Sequence, residues 1–339
     1  MGRSRGMRGS RMKLVAAPDK FRGTATAREM AAAIGRAADT AGVNCIEVPM
    51  ADGGEGLLDV LGGPDRSTVV TGPLGDPVEA GWRLDRGTAV IEMARVAGLE
   101  MAGGAAGNHP LDATTAGVGE LILSAVESGA RRVIVGMGGS ATTDGGLGAI
   151  DAMGSQARYR GVEILVACDV RTRFTDAAEV FGPQKGATDA HVRLLNRRLE
   201  RLVQVYGERF DVDVSALDRA GAAGGLAGGL AAMGAELVDG IDLVAEELRL
   251  DEHVADADLV VTGEGWLDPT SYDGKVVGGV GIYAAAAGVP LLVVVGGAEP
   301  EVAGRAGVVS LSDRFGMDRA LSEPTALVEL VVGEALDRR

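Results

Sequence analysis

The sequence predicts an α/β protein of two domains, one of them built around a parallel sheet that both ends of the chain supply. Its 339 residues exceed the roughly 250–300 at which a single hydrophobic core stops growing, so two domains are expected. Short apolar runs alternate with helical patterns near both ends, which is typical of a parallel sheet covered by helices. The middle of the chain differs in composition and contains several short extended segments.

The elements of the first domain each have a local signal. Thr26 and Glu29 form a capping-box pair, which predicts that a helix starts there and continues through 31–38. Further helical patterns follow Lys275 and cover 325–336. Short apolar runs predict five strands, at 12–17, 45–49, 259–262, 291–295 and 308–311. We therefore assign 12–68 and 256–339 to this domain.

The residues 69–255 between them predict an inserted α/β domain with a mixed sheet. Helical patterns cover 117–128 and 190–206, and the Gly- and Ala-rich segment 220–237 is either a tightly packed helix or a backbone-lined ligand loop. Extended segments are predicted at 69–71, 80–84, 89–92, 132–135 and 162–167. An insertion of this length is tolerated because loop-closure entropy grows slowly with loop length.

Charge and composition exclude several functional classes. The chain has 33 Lys and Arg against 48 Asp and Glu, a net charge of −15, which argues against broad binding to nucleic acid or anionic lipid. No apolar run approaches the ~20 residues of a membrane span. Cys45 and Cys168 are far apart, so a disulfide framework is not expected and a reducing, cytoplasmic location fits. We expect residues 1–11 to be a disordered basic tail or an over-long start.

Chemically active residues follow five of the predicted strands. Ligands of open α/β sheets bind beyond the carboxyl ends of the strands, so these positions are the ones to inspect. They carry carboxylates, cations and Gly-rich backbone. Because such residues recur after five strands, the sequence predicts one site for a small polyanionic ligand. The positions are Asp19, Lys20 and Arg22, then Asp52 to Glu55, then 136–146, then Asp169, and finally Glu264 and Asp268 with Lys275 soon after.

The loop 136–146 suits a phosphate or a carboxylate. Its glycines expose backbone N–H groups ahead of a helix expected near Leu147, and its hydroxyl groups add donors. The candidate ligands here are Gly138, Gly139, Ser140, Thr142 and Gly145. The loop lacks the Lys of a P-loop. Residues 136–141 match a dinucleotide fingerprint, GxGxxA, but the Asp-Gly-Gly at 144–146 interrupts the helix that should follow.

The other strand ends supply carboxylates and cations. Asp52 and Glu55, with Gly53 and Gly54 between them, either share a Mg²⁺ shell, hold a hydroxyl-bearing substrate, or form only an Asp-Gly turn. Three cations, at Lys20, Arg22 and Lys275, would neutralise phosphate oxygens or are surface charges. Together these groups favour phosphoryl transfer to a small hydroxylated substrate.

Six motifs resemble those of the bacterial glycerate kinase type 1 family, in the order of that family. They are 17–23 (APDKFRG), 51–56 (ADGGEG), 117–122 (GVGELI), 138–146 (GGSATTDGG), 181–187 (FGPQKGA) and 261–265 (VTGEG). The resemblance implies ATP- and Mg²⁺-dependent phosphorylation of glycerate, usually at the 2-hydroxyl. It also implies one flavodoxin-like domain, so we expect the active site in the cleft between the two domains.

Phosphoryl-transfer chemistry, in which positioning and charge stabilisation dominate, suggests roles for the residues. Arg22 and Lys275 are assigned to phosphoryl oxygens, and Asp52 or Asp144 would accept the substrate proton or hold Mg²⁺. Asp52 and Asp169 are the expected Mg²⁺ ligands, and Lys185 in its motif is an expected ATP or substrate contact. The remaining candidates are Asp19, Lys20, Glu264 and Asp268, with the glycines and hydroxyls named above.

The chain departs from the family pattern at two places. Lys20 and Arg22 stand where the family has Ser and Lys, and Trp266 stands where it has an Arg that would clamp a phosphate or carboxylate. Three alternatives stay open: a kinase for a related small hydroxy acid, an NAD-dependent oxidoreductase of a hydroxy acid, and a non-catalytic nucleotide sensor. The sequence leaves homo-oligomerisation undecided.

Overall fold

The computed structural model describes residues 12–338, so the predicted tail at 1–11 lies outside the described residues. The chain folds as two compact units. We call residues 12–50 with 248–338 the terminal unit and residues 51–247 the central unit. The predicted boundaries, 12–68 with 256–339 and 69–255, differ from this division. The difference arises because 51–68 contacts the central unit and contains the start of a strand that pairs there, whereas 248–255 packs with the terminal unit.

The strands of the described residues are, in chain order, β1 (Lys13–Ala16), β2 (Asn44–Glu47), β3 (Arg66–Thr71), β4 (Pro77–Asp85), β5 (Thr88–Glu92), β6 (Arg132–Gly136), β7 (Glu163–Cys168), β8 (Glu236–Asp239), β9 (Leu259–Thr262), β10 (Trp266–Leu267), β11 (Leu291–Val295), β12 (Gly297–Ala298) and β13 (Val308–Ser310).

The α-helices of the same residues are α1 (Ala27–Thr40), α2 (Leu57–Val60), α3 (Ala94–Ala97), α4 (Gly104–Gly107), α5 (Ala116–Glu127), α6 (Leu147–Met153), α7 (Ala177–Phe181), α8 (Asp189–Phe210), α9 (Leu226–Ala232), α10 (Gly240–Glu247), α11 (Leu250–Ala255), α12 (Val276–Ala287), α13 (Pro300–Ala303), α14 (Leu311–Phe315), α15 (Met317–Ser322) and α16 (Pro324–Asp337). None of the described helices is both long and apolar enough to cross a membrane.

The terminal unit is a five-stranded parallel sheet in the order β13-β11-β9-β1-β2. Numbered along the chain within this unit, the order is 2-1-3-4-5, which is that of flavodoxin-like folds. Side chains alternate across the sheet, so Val294 packs with α1 and α16 while Val293 and Val295 pack with α12 on the other face. The predicted fold class is confirmed for this sheet, and both chain ends contribute to it.

The start of α1 follows the predicted capping box. Thr26 Oγ1 accepts a hydrogen bond from Glu29 N at 3.2 Å, and Glu29 Oε2 accepts one from Thr26 N at 2.8 Å. These two bonds satisfy backbone donors that a helix end otherwise leaves without partners. The helix then buries an alanine- and isoleucine-rich face against α16 and the sheet.

The central unit contains a six-stranded mixed sheet in the order β3-β4-β5-β6-β7-β8. β3, β4 and β5 are antiparallel neighbours, and β5 to β8 run parallel. The carboxyl ends of the four parallel strands therefore meet along one edge, at Glu92, Gly136, Cys168 and Asp239. The predicted mixed sheet is confirmed.

The Gly- and Ala-rich segment 220–237 is neither a single helix nor a single loop. A 3₁₀ turn at 222–225 precedes the short helix α9, and β8 begins at Glu236. Gly224 lies so close to the loop before α6 that an added Cβ would stand 2.0 Å from the carbonyl oxygen of Thr142. Small residues are needed here because the backbone of this segment packs directly on that loop.

Two glycines of the terminal unit give a matched test of this close packing. A Cβ at Gly263 would stand 1.7 Å from the carbonyl oxygen of Val294, whereas one at Gly281, inside α12, meets only Leu291 Cδ2 at 3.6 Å. We expect Gly263→Ala to destabilise the protein by about 1–3 kcal/mol or more, since backbone must move. Gly281→Ala should stabilise it by about 0.5–1 kcal/mol through helix propensity. Urea unfolding followed by circular dichroism measures both, and equal midpoints for the two variants would contradict this packing.

Candidate active site

In the terminal unit, the loops after β1 and β9 are joined at the point where the strand order reverses. Asp19 N donates to Gly263 O at 2.8 Å, and Thr262 Oγ1 donates to Ala17 O at 2.7 Å. Asp19 is 7% exposed and Glu264 8%. The reversal point is where open α/β sheets bind their ligands. Two of the predicted carboxylates therefore lie at the expected place on this sheet.

Two predicted cations follow Asp19 in the same loop. Lys20 N donates to Asp19 Oδ1 at 2.7 Å, and the Lys20 ammonium lies 3.9 Å from the same oxygen. Arg22 is exposed, and its backbone nitrogen would be only 3.0 Å from a Cβ at Gly265. The loops 17–23 and 263–265 thus pack backbone against backbone, which places Lys20 and Arg22 beside the end of β9.

Asp268 and Lys275 form the third predicted group of this unit. Asp268 Oδ1 accepts from Thr270 Oγ1 at 2.6 Å and from Ser271 N at 2.9 Å, and Lys275 Nζ lies 3.7 Å from Asp268 Oδ2. Partial burial acts to raise the pKa of Asp268, but the hydrogen bonds from Thr270 and Ser271, with the Lys275 charge, hold that pKa below its ordinary value. Asp268 is therefore an ionised anchor that orients Lys275 at the start of α12.

In the central unit, residues 52–56 lie directly on the carboxyl ends of β6, β7 and β8. Met137 N is shared between Gly53 O at 3.0 Å and Ala167 O at 3.1 Å. An added Cβ at Gly240 would stand 1.9 Å from Asp52 O, and one at Gly138 would stand 2.8 Å from the Cα of Gly54. Backbone-to-backbone packing of this kind fixes the position of the loop.

The carboxylates of this edge include both predicted Mg²⁺ ligands. Asp52 is half-buried and its Oδ1 accepts from Gly54 N at 3.1 Å. Asp169 directly follows β7, whose Ala167 contacts the Cβ position of Gly53 at 2.9 Å. Glu55 is exposed. The described residues contain no group of three or more His, Cys, Asp and Glu that could enclose a metal. Two carboxylates suit Mg²⁺ nonetheless, since it keeps several waters and binds through one or two carboxylates plus phosphates.

Glu92 is a buried carboxylate that sequence reasoning did not select. It ends β5, is 2% exposed, and its Oε2 accepts from Gly56 N and Leu58 N, both at 3.1 Å. Arg95 Nε lies 3.7 Å from Glu92 Oε1. Burial raises the pKa of Glu92, and Arg95 and the two N–H donors oppose that rise. Glu92 therefore holds the loop that carries Asp52. The sequence could have indicated Glu92 only through its position at the end of a predicted strand. That position alone does not distinguish it from an ordinary strand residue.

The first part of the loop 136–146 presents backbone donors to solvent. Gly138 is partly exposed and Gly139, at φ 61°, is exposed. Within the described part of the chain, their N–H groups have no hydrogen-bond acceptor. Consecutive N–H groups next to a left-handed residue form an anion-binding concavity. The phosphate or carboxylate role of Gly138 and Gly139 stays a prediction. Gly145, by contrast, is buried and donates its N–H to Gly224 O.

Asp144 binds the backbone of its own loop. Its carboxylate accepts from Thr115 N at 2.9 Å, Thr115 Oγ1 at 2.8 Å, Gly146 N at 3.0 Å and Gly148 N at 3.3 Å. Although the residue keeps some exposed surface, burial of the carboxyl raises its pKa against the effect of these bonds. Four donors leave little capacity for a substrate proton, so the geometry favours Asp52 over Asp144 in that role.

Lys185, predicted as a ligand contact, is a buried amine that is held by its own loop. It is 2% exposed and donates to Ser140 Oγ and Thr142 O, both at 2.7 Å. Asn108 Nδ2 donates to Ala141 O and Lys185 O, both at 2.9 Å. Thr142 is fully buried, and its Oγ1 has no partner among the described residues. Lys185 and Asn108 thus hold the shape of the loop rather than presenting donors at its surface, and Thr142 is equally enclosed.

An ion pair at the ends of β7 and β8 was also missed. Arg219 donates to Cys168 O at 2.8 Å and to Asp239 Oδ2 at 2.9 Å. Its φ of 67° is unusual for a residue other than glycine. The sequence around it is dominated by Gly and Ala, and nothing in that pattern marks a single Arg as part of an edge. This ion pair ties the segment before α9 to the edge that carries Asp169.

The predicted site residues therefore fall into two groups. Those in the terminal unit are Asp19, Lys20, Arg22, Glu264, Asp268 and Lys275. Those in the central unit are Asp52, Gly53, Gly54, Glu55, Gly138, Gly139, Ser140, Thr142, Asp144, Gly145, Asp169 and Lys185. The dinucleotide fingerprint lacks its structural context, because β6 ends at Gly136 and no helix begins before Leu147. Nothing in this geometry supports the oxidoreductase alternative.

Carboxylates, cations and unpaired backbone donors at the carboxyl edges of parallel sheets define an α/β enzyme for small anionic ligands. The model of the glycerate kinase family matches residues 14–159 and 154–332. The chain is 38% identical to glycerate 2-kinase of Escherichia coli K12, covering 93% of this chain and 91% of that protein. It is 39% identical to a glycerate kinase of Bacillus subtilis 168, covering 84% and 85%.

A solved structure agrees with the sequence relatives. The crystal structure named "glycerate kinase 2", from Salmonella typhimurium LT2, matches with a TM-score of 0.82 at 33% identity, covering 97% of this chain and 98% of that one. The chain belongs to the glycerate kinase family and is an enzyme of that family. The resemblance predicted from the six motifs is confirmed.

The burial of Lys185 predicts a pH-dependent stability. Burial lowers its pKa to about 7, partly offset by the charge of Asp144. Between pH 7 and about 10.5 the unfolded chain holds this proton and the folded chain does not, so stability should rise with pH. The contribution is at most about 1.4 kcal/mol per pH unit. Lys185→Met removes it, so urea unfolding at pH 7, 8 and 9 should show a smaller increase than in the parent chain. Equal slopes would contradict a neutral buried Lys185.

Proposed function

We propose that this enzyme transfers the γ-phosphate of ATP to glycerate, at the 2-hydroxyl, with Mg²⁺. The observation that carries the proposal is that four of the six family motifs, 17–23, 51–56, 138–146 and 261–265, supply anion-binding and carboxylate groups at the sheet edges. An α/β enzyme with unpaired N–H donors at Gly138 and Gly139 and cations at Lys20, Arg22 and Lys275 suits a phosphorylated ligand. The expected cleft location stays a prediction.

Lys275 and Arg22 are proposed to stabilise the phosphoryl group. Charge develops on its equatorial oxygens during transfer, and fixed cations lower the barrier by matching that charge. The Asp268 carboxylate, held ionised by its hydrogen bonds, keeps Lys275 in place. The N–H groups of Gly138 and Gly139 would bind a phosphate or the glycerate carboxylate. Lys185 and Asn108 contribute indirectly, through the shape of this loop.

Asp52 is proposed to accept the proton of the substrate hydroxyl. The hydroxyl oxygen bonds to the γ-phosphorus, the bond from that phosphorus to the β,γ-bridging oxygen breaks, and ADP leaves. Asp52 is half-buried on a loop that Glu92 and Met137 hold at the edge. A positioned base is worth about 10²–10⁴ in rate.

Mg²⁺ would be held by Asp169, with Asp52 as the other candidate carboxylate. When bound, the ion neutralises charge on the β- and γ-phosphates. The two carboxylates stand at one edge of the central sheet, on either side of the close contact between Gly53 and Ala167. Loss of a base lowers kcat, whereas loss of a metal ligand raises the Mg²⁺ concentration that the enzyme needs. Variants can therefore separate the two roles of Asp52.

The direct test is a coupled ADP-release assay with ATP and a panel of small hydroxy acids, with ³¹P NMR of the product. We expect glycerate to be the best substrate and the product to be 2-phosphoglycerate. A related hydroxy acid with higher kcat/KM would replace glycerate as the substrate. A resonance of the 3-phosphate would overturn the assignment of the position. Binding of ATP without any turnover would favour the sensor alternative.

Asp52→Asn and Asp144→Asn should differ in their effects, the first on catalysis and the second on stability. We expect Asp52→Asn to lower kcat at least about 100-fold with an unchanged unfolding midpoint, since only one backbone donor loses a charged acceptor. Asp144→Asn should destabilise the protein by about 1–3 kcal/mol, because its four donors lose a carboxylate. Steady-state kinetics and urea unfolding of both variants test this. Near-normal turnover of Asp52→Asn would refute its role.

The Mg²⁺ dependence of Asp169→Asn tests the metal role. At saturating ATP, this variant should need at least about tenfold more Mg²⁺ for half-maximal rate, a typical effect of losing a ligand contact. Asp76→Asn is the matched control, because this exposed carboxylate lies in the turn between the antiparallel strands β3 and β4 of the same unit. An unchanged Mg²⁺ requirement in Asp169→Asn would exclude Asp169 as a ligand. If Asp52→Asn also shifts the requirement, Asp52 is a ligand rather than the base.

A further inference from the structure

Trp266 is an unusually placed aromatic side chain. Aromatic residues make up only 3% of the sequence, and within 12–338 Trp266 is the one aromatic residue that is classed as exposed, at 49%. The other tryptophan, Trp82, is 2% exposed and donates from Nε1 to Thr68 Oγ1. The other aromatic residues of 12–338 are buried or half-buried, so the exposed indole of Trp266 is an exception that needs a physical explanation.

The ring of Trp266 is held at a defined position. Trp266 pairs with Gly297 between the parallel strands β10 and β12, and its neighbour Leu267 is fully buried. A Cβ at Gly297 would stand 2.4 Å from Trp266 Cζ3 and 2.7 Å from Cε3. The benzo ring therefore lies over the bare backbone of Gly297, on the space that any other residue would fill. Half of its surface remains open to solvent.

The loop that carries this ring follows β9, at the strand-order reversal of the terminal sheet, and has charged residues on both sides of Trp266, with Glu264 before it and Asp268 after it. The preceding residue, Gly265, packs on the backbone of Arg22. Two residues further on, within about 7 Å of chain, Asp268 holds Lys275 at 3.7 Å. An exposed flat apolar surface in a loop at the strand-order reversal, on a unit that also carries Arg22 and Lys275, suits a ligand with both an aromatic ring and phosphates. A small hydroxy acid has no ring to stack, so it does not account for the indole.

We propose that Trp266 is a stacking platform for the adenine base of the nucleotide, in the terminal unit. The inference rests on the proposed use of ATP and adds the residue that binds the base. Stacking of a base on an aromatic ring changes affinity by about 5- to 150-fold when the ring is removed. The base is read by its π-face, so the platform favours nucleotides over other polyphosphates while discriminating little between purines.

Kinetics with matched variants test the platform. We expect Trp266→Ala to raise the KM for ATP by at least about fivefold while the KM for glycerate stays the same, and Trp266→Phe to give an intermediate value. Leu330→Ala is the control, because Leu330 is 47% exposed on α16 of the same unit. It should change neither KM. An unchanged KM for ATP in Trp266→Ala, or an equal rise in both KM values, overturns the proposal.

Tryptophan fluorescence gives a readout that needs no turnover. ADP should quench the emission of the parent chain, whereas inorganic tripolyphosphate, which lacks a base, should not. In Trp266→Phe, where only the buried Trp82 emits, ADP should leave the emission unchanged. Quenching by tripolyphosphate to the same extent would overturn base stacking.

Sedimentation of the parent chain and Trp266→Ala completes the test. If the substitution breaks an oligomer and leaves ADP binding intact, Trp266 is a protein contact and the proposal is overturned. ADP quenching without glycerate phosphorylation would keep the platform and overturn the proposed function. If Trp266→Ala phosphorylates glycerate with an unchanged KM for ATP, the proposed function stands and the stacking platform is overturned.

Discussion

The backbone of residues 52–56 lies directly on the carboxyl ends of β6, β7 and β8, and the chemistry of the central unit depends on this contact. Met137 N binds Gly53 O and Ala167 O at once, and Gly240 leaves no room for a Cβ beside Asp52. Glycine is required on both sides because side chains would separate the two backbones. The high glycine content, 53 of 339 residues, is therefore a packing requirement of the site as much as a source of turns.

Buried polar residues fix the conformation of the site loops through hydrogen bonds. Glu92 binds the loop of Asp52 through two N–H groups, Asp144 binds its own loop through four donors, and Lys185 binds Ser140 and Thr142. Burial raises the pKa of Glu92 and of Asp144 and lowers the pKa of Lys185, which in each case disfavours the charged form. Keeping these groups inside the protein therefore costs folding free energy. Enzymes accept such expense where a loop must keep one conformation during the reaction.

The sequence predicts the sheets well, because period-2 apolar runs and the Thr26–Glu29 cap are local signals that the structure follows. The unit boundary is harder to predict, because 51–56 is held in the central unit by contacts with residues far along the chain, such as Gly53 with Met137 and Gly56 with Glu92. The roles of individual side chains are the hardest to predict from the sequence. Asp52 and Asp144 look alike in sequence, both followed by glycines, and only the count of backbone donors around each carboxylate distinguishes them. Lys185 looks like a ligand contact until its burial is known.

The two units supply different parts of the proposed chemistry, and their sheets explain why. The flavodoxin-order sheet has its strand-order reversal between β1 and β9, and the cations and the exposed indole all follow these two strands. The mixed sheet has four parallel strand ends side by side, which suits a row of carboxylates and Gly-rich backbone. Trp266 belongs to the first of these units and the carboxylate row to the second, so substitutions at 266 test the proposed nucleotide contact without altering the proposed acceptor chemistry.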